Sequence, residues 1–217
     1  MNFFGHATVA TWSVDGAEAQ AAHVFGAMLP DFAGMVGRHV TGATTHAALR
    51  RGIELHHRTD DAFHGAPIFV ELCREALQEM EAAGVARASA RAVAHVGTEL
   101  LLDGFLSRDD RAVQAYREAM NAGPFLLPSA EFKSEDARER CHWLLSRLAP
   151  APIPQRYLET DFVAERLVFA LAPRPRLALS PADTDRVRAL LPHLQARVTD
   201  NAEALIASVA ARLNDKT

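Results

Sequence analysis

The sequence predicts an all-α protein, and three observations carry that expectation. Alanine, leucine, arginine and glutamate, all good helix formers, dominate the chain. Alternating runs of β-branched residues, the mark of half-buried strands, are absent. The stretch AALRRGIELHHRTDDAFH, Ala47–His64, carries Leu49, Ile53 and Phe63 at helical spacing, as one long amphipathic helix would.

Each element follows in order. Asn2 caps a short helix Phe3–Thr11, and Val14-Asp15-Gly16 is a turn. A second helix spans Ala17–Leu29. Pro30-Asp31 interrupts it and opens a short segment, Asp31–Gly37. A loop through Gly42 leads to the central helix Ala47–His64. Gly65-Ala66-Pro67 separates that helix from one at about Pro67–Ala83, whose proline suits a first turn and which Gly84 ends. Ala88–Leu106 is the next long helix, and Leu100-Leu101-Leu102 makes it buried all round. Ser107-Arg108-Asp109 restarts the chain into Asp110–Asn121. Residues 122–132, AGPFLLPSAEF, form a loop, and Glu131–Leu148 a helix. The proline-rich turn APAPIP precedes a helix Arg156–Ala172, and PRPRLALSP a last one, Pro181–Leu213. The arginines and alanines along that last helix leave it partly exposed and a candidate surface for a homodimer. No repeat, low-complexity tract or long linker divides residues 1–217, so a single domain is expected.

Composition narrows the function classes. With 217 residues, 49% hydrophobic and 23% charged, the chain resembles a globular protein with ample core. A net charge of −4 excludes a generally basic nucleic-acid binder. Lys133 and Lys216 are the two lysines. Cys73 and Cys141 are far apart and in no ligand spacing, which fits a reducing compartment. No apolar run reaches transmembrane length, and the opening MNFFGHATVATW lacks a basic signal region. The expectation is a cytoplasmic protein that binds neither membrane nor nucleic acid.

Polar residues stand on the apolar stripe of the central helix. His56 and Asp60 fall in line with Leu49, Ile53 and Phe63, where leucines are expected. Burying them has a cost that a partner must offset. Helix Ala88–Leu106 repeats the anomaly, with His95, Glu99 and Asp103 at i, i+4 and i+8. His6 lies beside Phe3 and Val9, and Asp31 follows the break in the second helix. A divalent metal site suits such a set. Imidazole with carboxylate and no thiolate fits manganese, iron, magnesium or zinc. The ion would offset buried negative charge, lower the pKa of a bound water to yield a hydroxide nucleophile, and polarise a phosphoryl oxygen. Asp61 or Glu99 would orient ligand imidazoles from outside.

Plainer readings stand beside this one. A histidine and a carboxylate on one face also make hydrogen-bonded core pairs, and His95, Glu99 and Asp103 fit a structural network as well. His57, Asp61 and His64 lie partly off the stripe, which favours solvated positions. His23, His39, His46 and His193 carry no signal, and Cys141-His142 reads as structural. Arg58 pairs with Asp61 or Glu54, or binds phosphate through its guanidinium.

Four stretches resemble the acyl-carrier-protein phosphodiesterases, a family of HD-type phosphohydrolases. They are Met1-Asn2-Phe3-Phe4-Gly5-His6, Gly26-Ala27-Met28-Leu29-Pro30-Asp31-Phe32, Gly52-Ile53 with His56-His57-Arg58-Thr59-Asp60, and Leu102-Asp103-Gly104-Phe105-Leu106. Their order and approximate spacing match over about the first 110 residues, and the remainder carries no matching motif. The resemblance implies an HD-domain-like helical bundle and a manganese-dependent phosphodiesterase. Such enzymes hydrolyse the link between 4′-phosphopantetheine and a serine of acyl carrier protein. Carried over by position, His56, Asp60 and Asp103 would hold the metal, with His6 and Asp31 as further ligands or proton carriers. Arg58 matches a family arginine, and Glu99 falls near a family acidic position. Where the family pattern has aspartate followed by histidine, this chain has Asp103-Gly104, and His95 is the candidate replacement. An acyl carrier protein is acidic, so Arg50 with Arg51, or Arg87 with Arg91, would supply a basic docking face.

Three other readings fit the same residues. One is a phosphohydrolase of a nucleotide or another small phosphoester. Another is a non-catalytic helical module that lost the metal, which Gly104 favours. The third is a redox bundle, although clear Glu-x-x-His pairs are lacking.

Overall fold

The computed structural model describes residues 1–12, 17–37, 40–151 and 153–215. The expected turn at 14–16, His39 and Lys216 lie outside the described residues. Ten helices and one two-stranded antiparallel ribbon make up the described chain, so the all-α class holds. Among the described residues no helix is long and apolar enough to cross a membrane. Contacts group the chain into two compact units, each assembled from two separate stretches: residues 1–61 with 106–153, and residues 62–105 with 154–217.

The first unit contains α1 (Phe3–Ala10), α2 (Ala17–Met35), β1 (Val40–Thr44), α3 (Ala47–His64) as far as Asp61, α6 (Asp110–Leu126), β2 (Ala130–Phe132) and α7 (Glu135–Leu148). Helices α1, α2 and α6 pack on one another. Aromatic rings fill their centre: Phe3 lies 5.4 Å from Phe32, Phe4 meets Tyr116 edge-on at 5.6 Å, and Phe25 lies 6.4 Å from Phe32. Every residue of α1 is buried. A Cβ at Gly123 of α6 would come within 2.6 Å of the Phe25 ring, so the glycine admits that ring.

Four expectations for this unit need correction. Helix α2 does not stop at Pro30 but continues to Met35. The proline removes one hydrogen bond, that to the Gly26 carbonyl, and packing of the helix on α1 and α6 outweighs the loss. The segment expected as a loop through Gly42 is the strand β1. Residues 122–132 are also ordered: α6 runs on through Pro124 to Leu126, a 3-10 turn spans Leu127–Ser129, and β2 pairs antiparallel with β1, Val40 opposite Phe132 and Thr44 opposite Ala130. Four residue steps on β1 match two on β2, so the ribbon carries an irregularity between those pairs. Helix α7 starts at Glu135, later than expected, because the Ser134 hydroxyl caps it by accepting from the Ala137 N–H at 3.3 Å.

The second unit contains α4 (Pro67–Ala82), α5 (Arg87–Leu106) as far as Phe105, the one-turn α8 (Ile153–Arg156) from Pro154 onward, α9 (Thr160–Leu171) and α10 (Pro181–Asn214). Helix α9 starts later than the Arg156 expected for it, because α8 ends there and a turn intervenes. Helix α10 packs on α4 and α9. It buries Val187, Leu191, Leu194, Val198, Ala202, Leu205, Val209 and Leu213, one stripe at three- and four-residue spacing. Its Arg197 forks onto Glu79 of α4, with Nη2 3.0 Å from Oε2. Pro192 sits within α10 on its exposed side. The second half of α5 is buried nearly all round, with Leu100, Leu101, Leu102 and Asp103 inaccessible.

Candidate metal centre

The centre of the first unit's site is a close crossing of two helices. A Cβ at Gly26 of α2 would sit 2.3 Å from the carbonyl oxygen of Leu49, and a Cβ at Gly52 of α3 would sit 2.1 Å from that of His23. Only glycine permits the two backbones to touch. One turn beyond Gly52, and one residue beyond Gly26, the crossing is locked by a hydrogen bond: Nδ1 of His56 donates to the carbonyl of Ala27 at 2.9 Å. That bond fixes the tautomer and leaves Nε2 to face Asp60.

Three helices then supply the donors. His56 Nε2 lies 3.4 Å from Asp60 Oδ2 on the same face of α3. From α1, the His6 ring stacks on that of His56 with centroids 3.9 Å apart. His6 Nε2 is 3.2 Å from Asp60 Oδ1 and 4.0 Å from Oδ2 of Asp31 on α2. His6, His56 and Asp60 each present a ligand atom within 4.8 Å of the others. The α-amino group of Met1 also donates to Asp60 Oδ1, at 2.8 Å.

The electrostatics are those of a buried anion among nitrogen ligands. Burial pulls the His6 pKa down to about 4, more than Asp60 can restore, so the imidazole is neutral near pH 7. Burial also works against protonation of His56, but Asp60 and then Asp31 outweigh it and raise its pKa. Asp60 is pushed up by burial, yet His56, His6 and the Met1 ammonium together hold its carboxyl well below the usual carboxylate range. Nδ1 of His6 has no hydrogen-bond partner, and its Nε2 faces the Asp60 carboxylate 3.2 Å away. A fully buried imidazole with one nitrogen unpartnered carries a desolvation cost. Coordination of a cation by its lone pair would offset that cost, so the donor set fits a divalent metal.

The remaining expected site residues are placed differently. His57, Arg58 and Asp61 are exposed; Arg58 follows His56 by two residues and so points to another side of α3. Asp103 is fully buried on α5, in the second unit. Gly104 beside it is dictated by packing: a Cβ there would lie 2.5 Å from the carbonyl oxygen of Tyr157. A histidine has no room at that position.

His95 and Glu99 belong to a second group, which includes a residue expected in solvent. His64 is half-buried, and its Nε2 bonds Glu99 Oε1 at 3.0 Å, while His95 Nε2 lies 3.2 Å from the same oxygen. Within its own unit, Asp103 is not part of this group. The periodicity of one helix cannot reveal His64, since its partners lie on α5; only its histidine identity was a signal. Comparison with protein-family models, with curated proteins and with solved structures found no match to this chain.

Proposed function

We propose that the chain is a divalent-metal-dependent phosphodiesterase similar to the acyl-carrier-protein phosphodiesterases, acting on the phosphodiester of 4′-phosphopantetheine, with an HD-like helical arrangement around its site. The observation that supports this reading is the convergence of His6, Asp31, His56 and Asp60. Three motifs spaced along the sequence bring these four side chains together at the Gly26–Gly52 crossing. Manganese is the ion the resemblance favours.

A divalent cation held there would polarise a phosphoryl oxygen and acidify a water. His56 offers Nε2 because Ala27 takes its Nδ1 proton. In the metal-free chain Asp60 and Asp31 strengthen the hold of His56 on a second proton, so a metal ion would compete with that proton for the nitrogen. His6, neutral at working pH, offers a lone pair or accepts a proton without first losing one. Asp31, a quarter exposed, is the carboxylate positioned to exchange protons with solvent. Arg50 and Arg51 are exposed in the same unit and are the cations suited to an acidic carrier protein, whereas Arg87 pairs with Glu81 at 3.3 Å.

One observation favours a second reading. The packing of Gly104 against Tyr157 excludes the histidine of the family pattern, which suits a phosphohydrolase of small phosphoesters or a binding module. The decisive experiment purifies the chain without chelator, measures its metal content, and assays holo-acyl carrier protein and a panel of small phosphoesters with manganese added. Stoichiometric metal and release of phosphopantetheine support the reading. Metal with turnover of small esters alone transfers it to the second, and a metal-free, inactive chain leaves only the module.

A further inference from the structure

We infer that His64, His95 and Glu99 form a second binding site, for a transition-metal dication of the zinc class. The sequence offered His95 and Glu99 only as accessories to the phosphodiesterase centre, and no step proposed above passes through them; the structure groups them with His64. Two imidazole nitrogens, His64 Nε2 and His95 Nε2, converge on one carboxylate oxygen at 3.0 and 3.2 Å. All three ligand atoms lie within 4.8 Å of one another. A tetrahedral ion with bonds of about 2.0–2.1 Å holds its ligand atoms roughly 3.3 Å apart, so the site needs little rearrangement to close on one.

The supporting residues fix the ligands as a metal site requires. His95 and Glu99 stand one turn apart on α5, so their spacing is set by the helix. The His64 and His95 rings stack almost parallel, 5.1 Å apart and 16° from coplanar. Phe69 meets both edge-on, at 5.4 and 5.3 Å, and Phe63 braces Phe69 at 4.3 Å. Glu99 is nearly buried, with its side chain 12% exposed, while those of His64 and His95 are 35% and 48% exposed. The part-exposed imidazoles would leave an ion held by these three ligands within reach of solvent. Imidazole with carboxylate selects zinc, cobalt or nickel over magnesium or calcium, which prefer all-oxygen ligands.

The test is zinc binding to the full chain after chelator treatment, followed by calorimetry and by elemental analysis after dialysis. His95→Gln and His64→Gln should each bind one equivalent fewer than wild type, or bind it at least about tenfold more weakly. Both positions are solvent-accessible, so the variants should keep the wild-type circular dichroism spectrum. Cobalt(II) should give a visible d–d spectrum in the wild-type chain, and the part due to this site should disappear in both variants. Unchanged zinc stoichiometry and affinity in the two folded variants would overturn the inference and leave a hydrogen-bonded His–Glu–His network.

Discussion

The imidazole of His56 donates to the Ala27 carbonyl at 2.9 Å because Gly26 and Gly52 let α2 and α3 touch backbone to backbone. The site geometry therefore depends on two residues that bear no side chain.

Substitution at that crossing should be costly. Gly52→Ala places a methyl group 2.1 Å from the His23 carbonyl oxygen, where backbone rather than a flexible side chain must move. We expect a loss on the order of 3 kcal/mol or more in denaturant unfolding, together with reduced metal retention. Gly34→Ala, in α2 with nothing within 4 Å of its Cβ position, should be neutral or gain about 0.5–1 kcal/mol. Equal midpoints for the two variants would refute the close approach.

Asp60 carries the negative charge that both imidazoles face. Asp60→Asn keeps its shape and removes that charge, so metal content should fall below stoichiometric and any phosphodiesterase activity should drop at least about a hundredfold. His56→Gln should do the same. Elemental analysis beside the activity assay checks both, and full metal with full turnover in either variant would remove these residues from the centre.

The pH dependence of the chelator-treated chain should show opposing limbs. Unfolded His6 takes a proton near pH 6.5 but the folded residue does so only near 4. The unfolded state binds more protons in that window, so stability falls as pH drops through it, by an amount on the order of 3 kcal/mol. His56 is shifted the other way, its folded pKa lying above 6.5. Its contribution is complete below 6.5 and is lost as pH rises through the folded value. Stability attributable to the pair should therefore peak near pH 6.5. Thermal melts from pH 4 to 9 measure this, and His6→Asn should flatten the acid limb.

Gly104→Ala should destabilise the second unit, since its Cβ would strike the Tyr157 carbonyl. Gly104→His, which would introduce the aspartate–histidine pair of the acyl-carrier-protein phosphodiesterases, should lower the melting temperature further rather than raise activity. A stable, more active Gly104→His chain would contradict the packing described for α5.

Both cysteines should be slow to alkylate. Burial raises the Cys73 thiol to about 12, with Glu99 adding to the effect, and burial raises Cys141 to about 11. At pH 8 the native chain should react with iodoacetamide at least about a hundredfold more slowly than a free thiol, and at the ordinary rate in denaturant.

The parts of this structure legible in the sequence are those set by periodicity. Helix α3 has the expected bounds Ala47–His64, because its apolar stripe and flanking breakers agree. His56 and Asp60 stood out because they break that stripe. Continuation through Pro30 and Pro124 was not legible, since tertiary packing overrides a local breaker near the end of a helix. Strands β1 and β2 were missed for a different reason: three residues of β2 are too few for a period, and their partners lie about ninety positions earlier. The His6–His56 stack and the His64–His95 stack join separate helices, so no window of sequence contains either.

The discontinuity of the first unit has a consequence during synthesis. All four of its donors, from His6 to Asp60, leave the ribosome while residues 106–153 are still untranslated. For several seconds the nascent chain carries imidazoles and acids without α6 and α7 to hold them. Capture of an ion at this centre would therefore wait for the later segment, and a ribosome stalled before residue 106 should display a chain with weaker metal binding than the full chain.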